Sequence, residues 1–364
     1  MLVYLAPLLA ICPLYILLRN KKNGEHIILG IVSGYVFILL ALRSINSGVD
    51  LDAYQNIFNF VSSLSFKELL SGFSLVHSIP GSSVEWGYSV VNWLFAKTGL
   101  GFRIFLIFQS LFCVGTACYF IGKNSVRPAL SIALLIGFGF VDYTFCIVRQ
   151  AMSLAFLMFA VDFLERKQII PTLIFALLAI MMHRTAAIFL AAIPLSFIPV
   201  NRKTVLVYCL ASLLIIPVFP IVYNKIVEPL FQVFNRTLYI TEYGFELKEM
   251  LVAVFTIAIF LIFFADSDTI QSGKNSAIFW TFMLTLPLEA ISVYTPILSR
   301  VTTLTILPFA SVLIPNYVET NKNKKLVFTI EILIYVGVIG YYVLCLRYDK
   351  RMLNIIPYRF FFLG

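Results

Sequence analysis

The sequence predicts an all-α, polytopic integral membrane protein, and three observations carry that prediction. Of 364 residues, 60% are hydrophobic and only 12% are charged, where soluble domains run at roughly a quarter charged. The mean hydropathy is +0.94. Apolar runs recur from end to end and are continuous rather than alternating, which suits helices and disfavours a β-barrel. No gap between runs is long enough to bury a separate soluble core, so a single membrane domain over residues 1–364 is expected. The net charge of +9 is not read as a nucleic-acid signature. The cations sit in short gaps between apolar runs, where they set orientation.

A crossing helix needs about 20 apolar residues, fewer inside a bundle. Apolar runs fall at 2–18, 27–42, 100–122, 128–141, 144–164, 169–183, 185–199, 204–222, 249–265, 276–292, 299–315 and 326–346, which gives about twelve spans. The first run lacks a basic leader and a small-residue cleavage site, so it reads as a membrane helix. Run 128–141 is short, and 169–199 is tight enough that one member of the pair can be a half-helix. Gly30 and Gly34 form a G-x-x-x-G, read as a packing contact. Cys12, Cys113, Cys118, Cys146, Cys209 and Cys345 lie in apolar runs without a C-x-x-C. They read as small core residues, with neither a disulfide framework nor a metal site expected.

Orientation follows the Lys and Arg bias. Alternate gaps are compact and basic: Arg19/Lys21/Lys22, Lys123/Arg127, Arg166/Lys167, Arg202/Lys203 and Lys322/Lys324/Lys325. These are assigned to the cytoplasm. The 43–99 and 223–248 loops, and the shorter gaps near 142–149, 183–184 and 292–300, then face outward, as do both termini. The tail strains the rule, because Arg347, Lys350, Arg351 and Arg359 become external. A miscounted span near the C-terminus would relieve it.

The outer loops carry structure of their own. Tyr54, Ile57, Phe58, Val61 and Leu64 recur at helical spacing, as an interfacial helix does. Residues 86–97 form a second such segment with aromatics suited to the headgroup zone. The stretch around Ile226, Leu230, Phe231 and Phe234 is a candidate third.

Ionisable groups within or beside spans are costly and are functional candidates by default. In this orientation Arg43, Asp50, Asp52, Glu85, Arg149, His183, Arg184 and Arg300 all fall at one outward boundary, on separate helices. Such a layer suits a lipid-linked phosphate, because an Arg fork donates bidentate, charge-assisted hydrogen bonds. Each residue also has a plainer role. Arg43 and Arg300 at helix ends could snorkel. Arg149 could pair with Asp142, about two turns earlier. His183 could be a satisfied bundle histidine, and Asp52 could cap the helix that follows. Asp50-Leu51-Asp52 also has the D-x-D form of metal-dependent glycosyltransferases, a weak signal at three residues.

Four motifs in order carry a resemblance. They are Arg43…Gly48-x-Asp50-x-x-x-Tyr54, Glu85-x-Gly87-Tyr88-x-x-x-Asn92, Ile147-x-Arg149-Gln150-x-x-x-x-Ala155 and Ala179-x-x-x-His183-x-Thr185-Ala186. Across about residues 40 to 190 the chain resembles the EpsG-like branch of Wzy-type polysaccharide polymerases. Arg300 resembles that family's late arginine, and Trp86 departs from the proline or small residue expected there. The resemblance implies a multi-pass glycosyltransferase of the bacterial inner (plasma) membrane, with its active site facing the periplasm. It would transfer a growing glycan from undecaprenyl diphosphate onto a new lipid-linked repeat unit, for O-antigen, capsule or exopolysaccharide.

The residues suggest a division of labour. The departing lipid diphosphate needs cations and the acceptor hydroxyl needs a base. Arg149 is the first choice for the diphosphate, with Arg43, Arg184 and Arg300 as helpers. Asp50 is the first choice for the base, then His183, then Glu85. Gly48 would let the backbone approach substrate. Tyr54, Trp86 and Tyr88 could stack on sugars, and Gln150 adjoins Arg149. No metal or other cofactor is expected, since several arginines can replace one. Expected partners are the undecaprenyl-diphosphate-linked oligosaccharide, membrane lipid and a chain-length regulator protein, with no nucleic acid. Two rivals remain: a glycolipid ligase, which needs similar parts but usually a larger late outer loop, and a flippase or transporter, whose polar residues would sit nearer the midplane.

Overall fold

A computed structural model describes residues 1–71, 84–223, 225, 275–294, 299–349 and 353–362. All regular elements among them are helices. The chain packs as two units, residues 1–190 with 310–364, and residues 191–309. By length and composition, four helices among the described residues can cross a membrane, or five if one bent pair counts as a span.

The first unit begins with α1 (Leu2–Leu18) and α2 (Gly24–Ala41). Then come the loop helices α3 (Leu51–Ser63), α4 (Phe66–Ser71) and α5 (Trp86–Lys97). α3 buries Leu51, Tyr54, Phe58 and Val61, so the helical spacing read from the sequence does form an amphipathic face. α5 has the bounds expected for the second interfacial segment. The Trp86 and Trp93 indoles tie it down, donating to the carbonyls of Leu69 and Leu64. Their N–H groups hold the loop together rather than pointing away from it. The candidate helix near Ile226–Phe234 and the run 249–265 lie outside the described residues.

α6 (Phe102–Asn124) follows, then α7 (Pro128–Gly137) and α8 (Phe140–Cys146). α7 and α8 are bent by 52° at Phe138-Gly139. Gly139 has φ +107°, a conformation open to glycine and strained for other residues. Residues 140–146 are therefore helix where the sequence suggested that an outer gap begins. Gly137 presses on Val338: a Cβ there would lie 2.3 Å from the valine's Cγ1. Gly30 and Gly34, expected to pack, have open space where a side chain would go.

α9 (Val148–Glu165) and α10 (Ile169–Met182) form an antiparallel hairpin, fastened by Ser153 Oγ donating to the Ala179 carbonyl at 2.8 Å. Beyond His183 the chain tightens into a 3-10 helix, Arg184–Ala191, and a short α11 (Ala192–Leu195). This is the broken second member foreseen for the tight pair 169–199. The second unit continues with α12 (Arg202–Val222), α13 (Ser276–Met283) and α14 (Thr285–Ser292). α15 (Ser299–Val318) and α16 (Lys324–Arg347) bring the chain back to the first unit. All six cysteines are free; Cys12 is exposed, while Cys113, Cys146, Cys209 and Cys345 are buried.

Contacts fix the ends of the first unit. At one end Arg103 donates to the Arg43 carbonyl, and Tyr342 donates to Asp142. At the other end Lys123 pairs with Asp162 at 2.5 Å, and Arg127 pairs with Glu25 and Glu331. The tail joins the first end. Gly48 N–H donates to the Asn354 carbonyl, Val49 N–H to Leu353, Ser44 N–H to Arg359 and Phe361 N–H to Leu42. Tyr4 donates to the Ile355 carbonyl at 2.6 Å. Tyr4 and residues 353–361 thus sit with the 42–49 turn.

Candidate functional site

The site forms where α5 and α9 begin and α10 ends, all within the first unit. Glu85 is the N-cap residue of α5, in extended backbone. Arg149 is in the first turn of α9, and His183 caps α10. The α9–α10 hairpin brings the last two to one level, because the start of one antiparallel helix lies beside the end of the other. Gly87 brings Glu85 to meet them. A Cβ at Gly87 would lie 2.6 Å from Met181 Cβ and 2.7 Å from its carbonyl oxygen, so only glycine lets α5 approach the end of α10 this closely.

One carboxylate then binds all three strands of chain. Arg149 Nη1 donates to Glu85 Oε2 at 2.6 Å. His183 Nδ1 lies 3.1 Å from Glu85 Oε1, which also accepts the Arg184 backbone N–H at 3.2 Å. The side chains of Glu85, Arg149 and His183 are 11%, 22% and 20% exposed, enclosed but not sealed. Burial pushes the Glu85 carboxyl up, but the His183 hydrogen bond and the Arg149 charge outweigh it and hold the group down at about 2. An ionised carboxylate only accepts hydrogen bonds. The proton in the Glu85–His183 bond therefore sits on Nδ1, and in the neutral ring the lone pair is on Nε2.

Aromatics support the guanidinium. Its carbon lies 5.8 Å from the Tyr54 ring centroid, and Tyr54 meets Tyr88 edge-on at 5.8 Å. Burial raises the Tyr54 phenol above its ordinary range, against the opposing charge of Arg149. Both tyrosines are buried, so they pack beneath the site and present no open face for a sugar. Arg149 Nε, Tyr88 Oη, Asn92 Oδ1 and Thr185 Oγ1 are buried without a hydrogen-bond partner among the described residues. Ser33 Oγ, Arg43 Nε, Ser47 Oγ, Arg103 Nε and Thr144 Oγ1 are likewise unpaired elsewhere in the described residues, so such atoms do not by themselves mark the site.

The other expected site residues are distributed as follows. Arg43 is 0% exposed. It donates to Ser110 Oγ at 2.9 Å and Gln109 Oε1 at 3.0 Å, and its guanidinium faces Phe145 at 5.5 Å. It neither snorkels nor opens to a ligand; it fastens α2 to α6. Gly48 has φ +78°, and a Cβ there would lie 2.5 Å from Cys146 Sγ and 3.3 Å from the Leu353 carbonyl oxygen. The close approach it allows is to the protein itself. Asp50, at φ +69°, is the exposed N-cap residue of α3 and makes no side-chain capping bond; Asp52, two residues on in the first turn, is also exposed. Gln150 is buried beside Arg149. The Arg184 side chain is exposed. Asp142 accepts from Tyr342 at 2.6 Å, and Arg149 takes Glu85 as its ion-pair partner instead. Arg300 lies on α15 in the second unit, and its side chain is outside the described part.

Sequence reading overlooked Arg103, which donates to the carbonyls of Ala41 and Arg43 and stacks on Phe361 at 3.8 Å. It also overlooked Gln109-Ser110, a polar pair inside an apolar run, which was the available signal for a buried partner to Arg43.

This arrangement suits chemistry on an anionic leaving group with a proton to remove: a cation and an oriented imidazole share one carboxylate. The model of the EpsG family matches residues 26–360. The chain belongs to that family, a glycosyltransferase-like group with a polysaccharide-polymerase role, and it is a membrane protein. No curated protein and no solved structure matches it.

Proposed function

We propose that the protein is a polysaccharide polymerase of the bacterial plasma membrane. It transfers a growing glycan from undecaprenyl diphosphate onto a new lipid-linked repeat unit at the outward face. The observation that carries this reading is Glu85 holding Arg149 on one oxygen and His183 on the other.

In the proposed step the acceptor hydroxyl attacks the anomeric carbon of the donor glycan. A new glycosidic C–O bond forms as the bond between that carbon and the diphosphate oxygen breaks. His183 Nε2 takes the hydroxyl proton. The electron pair leaves with the lipid diphosphate, whose developing charge Arg149 offsets. The N-terminus of α9 adds its dipole at the same place. Glu85 keeps the imidazole in the Nδ1–H form and fixes the guanidinium. His183 thereby takes precedence over Asp50 as base, because Asp50 lies exposed outside this cluster. The exposed Arg184 and Asp50 side chains are assigned to the sugar-bearing side of the substrates. The outward placement rests on the lysine-rich compact gaps: Arg19, Lys21, Lys22, Lys123, Arg166 and Lys167 lie at helix ends opposite the Glu85 cluster, while Arg43, Arg103 and Arg359 at the cluster's end are held by contacts within the protein.

The test is incubation of purified protein with a defined undecaprenyl-diphosphate oligosaccharide, reading product length on a gel. A ladder of multiples of the repeat unit is expected from the native chain and none from Arg149→Ala. Absence of elongation by the native protein, or normal ladders from Arg149→Ala, would overturn the reading.

A further inference from the structure

The end of the first unit opposite the Glu85 cluster carries a second polar assembly, which the reaction above does not use. Arg127, beside α7, donates through Nε and Nη2 to both oxygens of Glu331 at 2.6 and 2.5 Å. Its Nη1 lies 3.0 Å from Glu25. Glu319, 3.9 Å from Arg127, is balanced by Lys324 at 2.7 Å. Beside this knot lies a cavity of about 270 Å³, bounded by α1, α7 and α16. Its walls are apolar except where Arg127, Glu25, Glu331 and Arg19 close one end.

Place and lining together narrow the occupant. α2 runs from the Glu25 end to the Arg43 end over 18 residues, about 27 Å of helix, close to one hydrocarbon thickness. The ionic end of the cavity is therefore at the other bilayer boundary. Ile16, Phe328 and Ile332, which line it, are 61%, 54% and 45% exposed, so it is a groove open to the side of the unit, where lipid would lie. The apolar walls of such a groove favour an apolar occupant. An acyl chain fits that requirement, and its headgroup would then meet the charged end. There the charges of the lining balance but are separated: both carboxylates are gathered on Arg127, while the exposed Arg19 stands at the rim. An ammonium complements the carboxylates and a phosphate ester complements Arg19. A purely anionic headgroup, polyprenyl diphosphate included, could meet Arg19 but would bring nothing to the two carboxylates.

We infer that this groove is a binding site for a zwitterionic, amine-bearing phospholipid, with one acyl chain in the cavity and the headgroup between Arg19 and the Glu25–Glu331 pair. The inference does not rest on the polymerase reading.

Native mass spectrometry of the full chain tests it, after reconstitution in vesicles of equal parts phosphatidylethanolamine, phosphatidylglycerol and phosphatidylcholine. One phosphatidylethanolamine should be retained through delipidation, at least tenfold over the other two. Cys12→Trp and Ile332→Trp, which fill the groove from α1 and α16 without touching the ion pairs, should each abolish that retention. A spin-labelled phosphatidylethanolamine in the same vesicles should lose its immobilised fraction in both variants. The site is refuted by equal retention of all three lipids, by preferential retention of phosphatidylglycerol or added polyprenyl phosphate, or by retention unchanged in folded groove-filled variants.

Discussion

Arg43 and Arg149 lie toward the same end of the first unit, and the protein treats them in opposite ways. Arg43 is sealed among α2, α6 and α8, with Ser110, Gln109 and the ring of Phe145 around its guanidinium. Arg149 is 22% exposed and held mainly by Glu85, which it shares with His183. A cation at a helix end is thus no mark of a site. What distinguishes Arg149 is a carboxylate that couples a positive charge to an imidazole while leaving both within reach of the surroundings.

The sharpest way to break this comparison is to truncate both arginines. Arg149→Ala should lower turnover per folded molecule by about 100-fold or more. Arg43→Ala should leave turnover per folded molecule within about threefold but destabilise the protein by about 2–4 kcal/mol, because buried Gln109 and Ser110 lose their partner. Thermal melts and single-turnover assays of the two variants decide it; a catalytic loss at Arg43 without a change in melting would erase the distinction.

A second contrast lies between the two candidate bases. His183→Gln should slow the reaction about 100-fold, while Asp50→Asn, at an exposed cap, should cost about tenfold or less. The reverse order would return the base to Asp50.

Gly87→Ala comes next in size. Its methyl group meets Met181 backbone at 2.7 Å, so α5 must shift and carry Glu85 off His183. A loss of about tenfold in turnover, at little change in melting temperature, is expected from so small a displacement. Native turnover in Gly87→Ala would show that α5 has slack here.

A further effect, on stability rather than turnover, is a pH dependence. The Glu85 carboxyl is lowered from 4.5 to about 2. Its ion pairs therefore contribute stability, on the order of 3 kcal/mol, that is fully present above about pH 4.5 and is lost as pH falls toward 2. The melting difference between native protein and Glu85→Gln should accordingly be constant from pH 7 to about 5 and shrink below that. A difference that grows on acidification would contradict the sign.

Much of this was legible in the chain. Helix positions followed from apolar runs, and the buried face of α3 followed from Tyr54, Phe58 and Val61, because those signals are local. Alternating charge grouped Glu85, Arg149 and His183 with Arg43, Asp50, Asp52, Arg184 and Arg300 and did not single them out. Their mutual pairing was not legible, since Glu85 meets residues 64 and 98 positions away, and no local spacing encodes such contacts. Gly87 was visible only as a motif letter, because its role is to lack an atom that would strike Met181. The tail folding back on residues 42–49 depends on backbone hydrogen bonds, which leave no mark in the side-chain pattern. The bend at Phe138-Gly139 hid inside an unbroken apolar run, as hydropathy does not register a change in helix direction.

The most direct test of the shared carboxylate is a double-mutant cycle on turnover of a defined lipid-linked repeat unit, using Arg149→Ala, His183→Gln and the pair. If Glu85 joins them into one unit, the double variant should be about as slow as the slower single. Losses that simply multiply, or a double variant that still makes long chains, would mean that Arg149 and His183 do not act together.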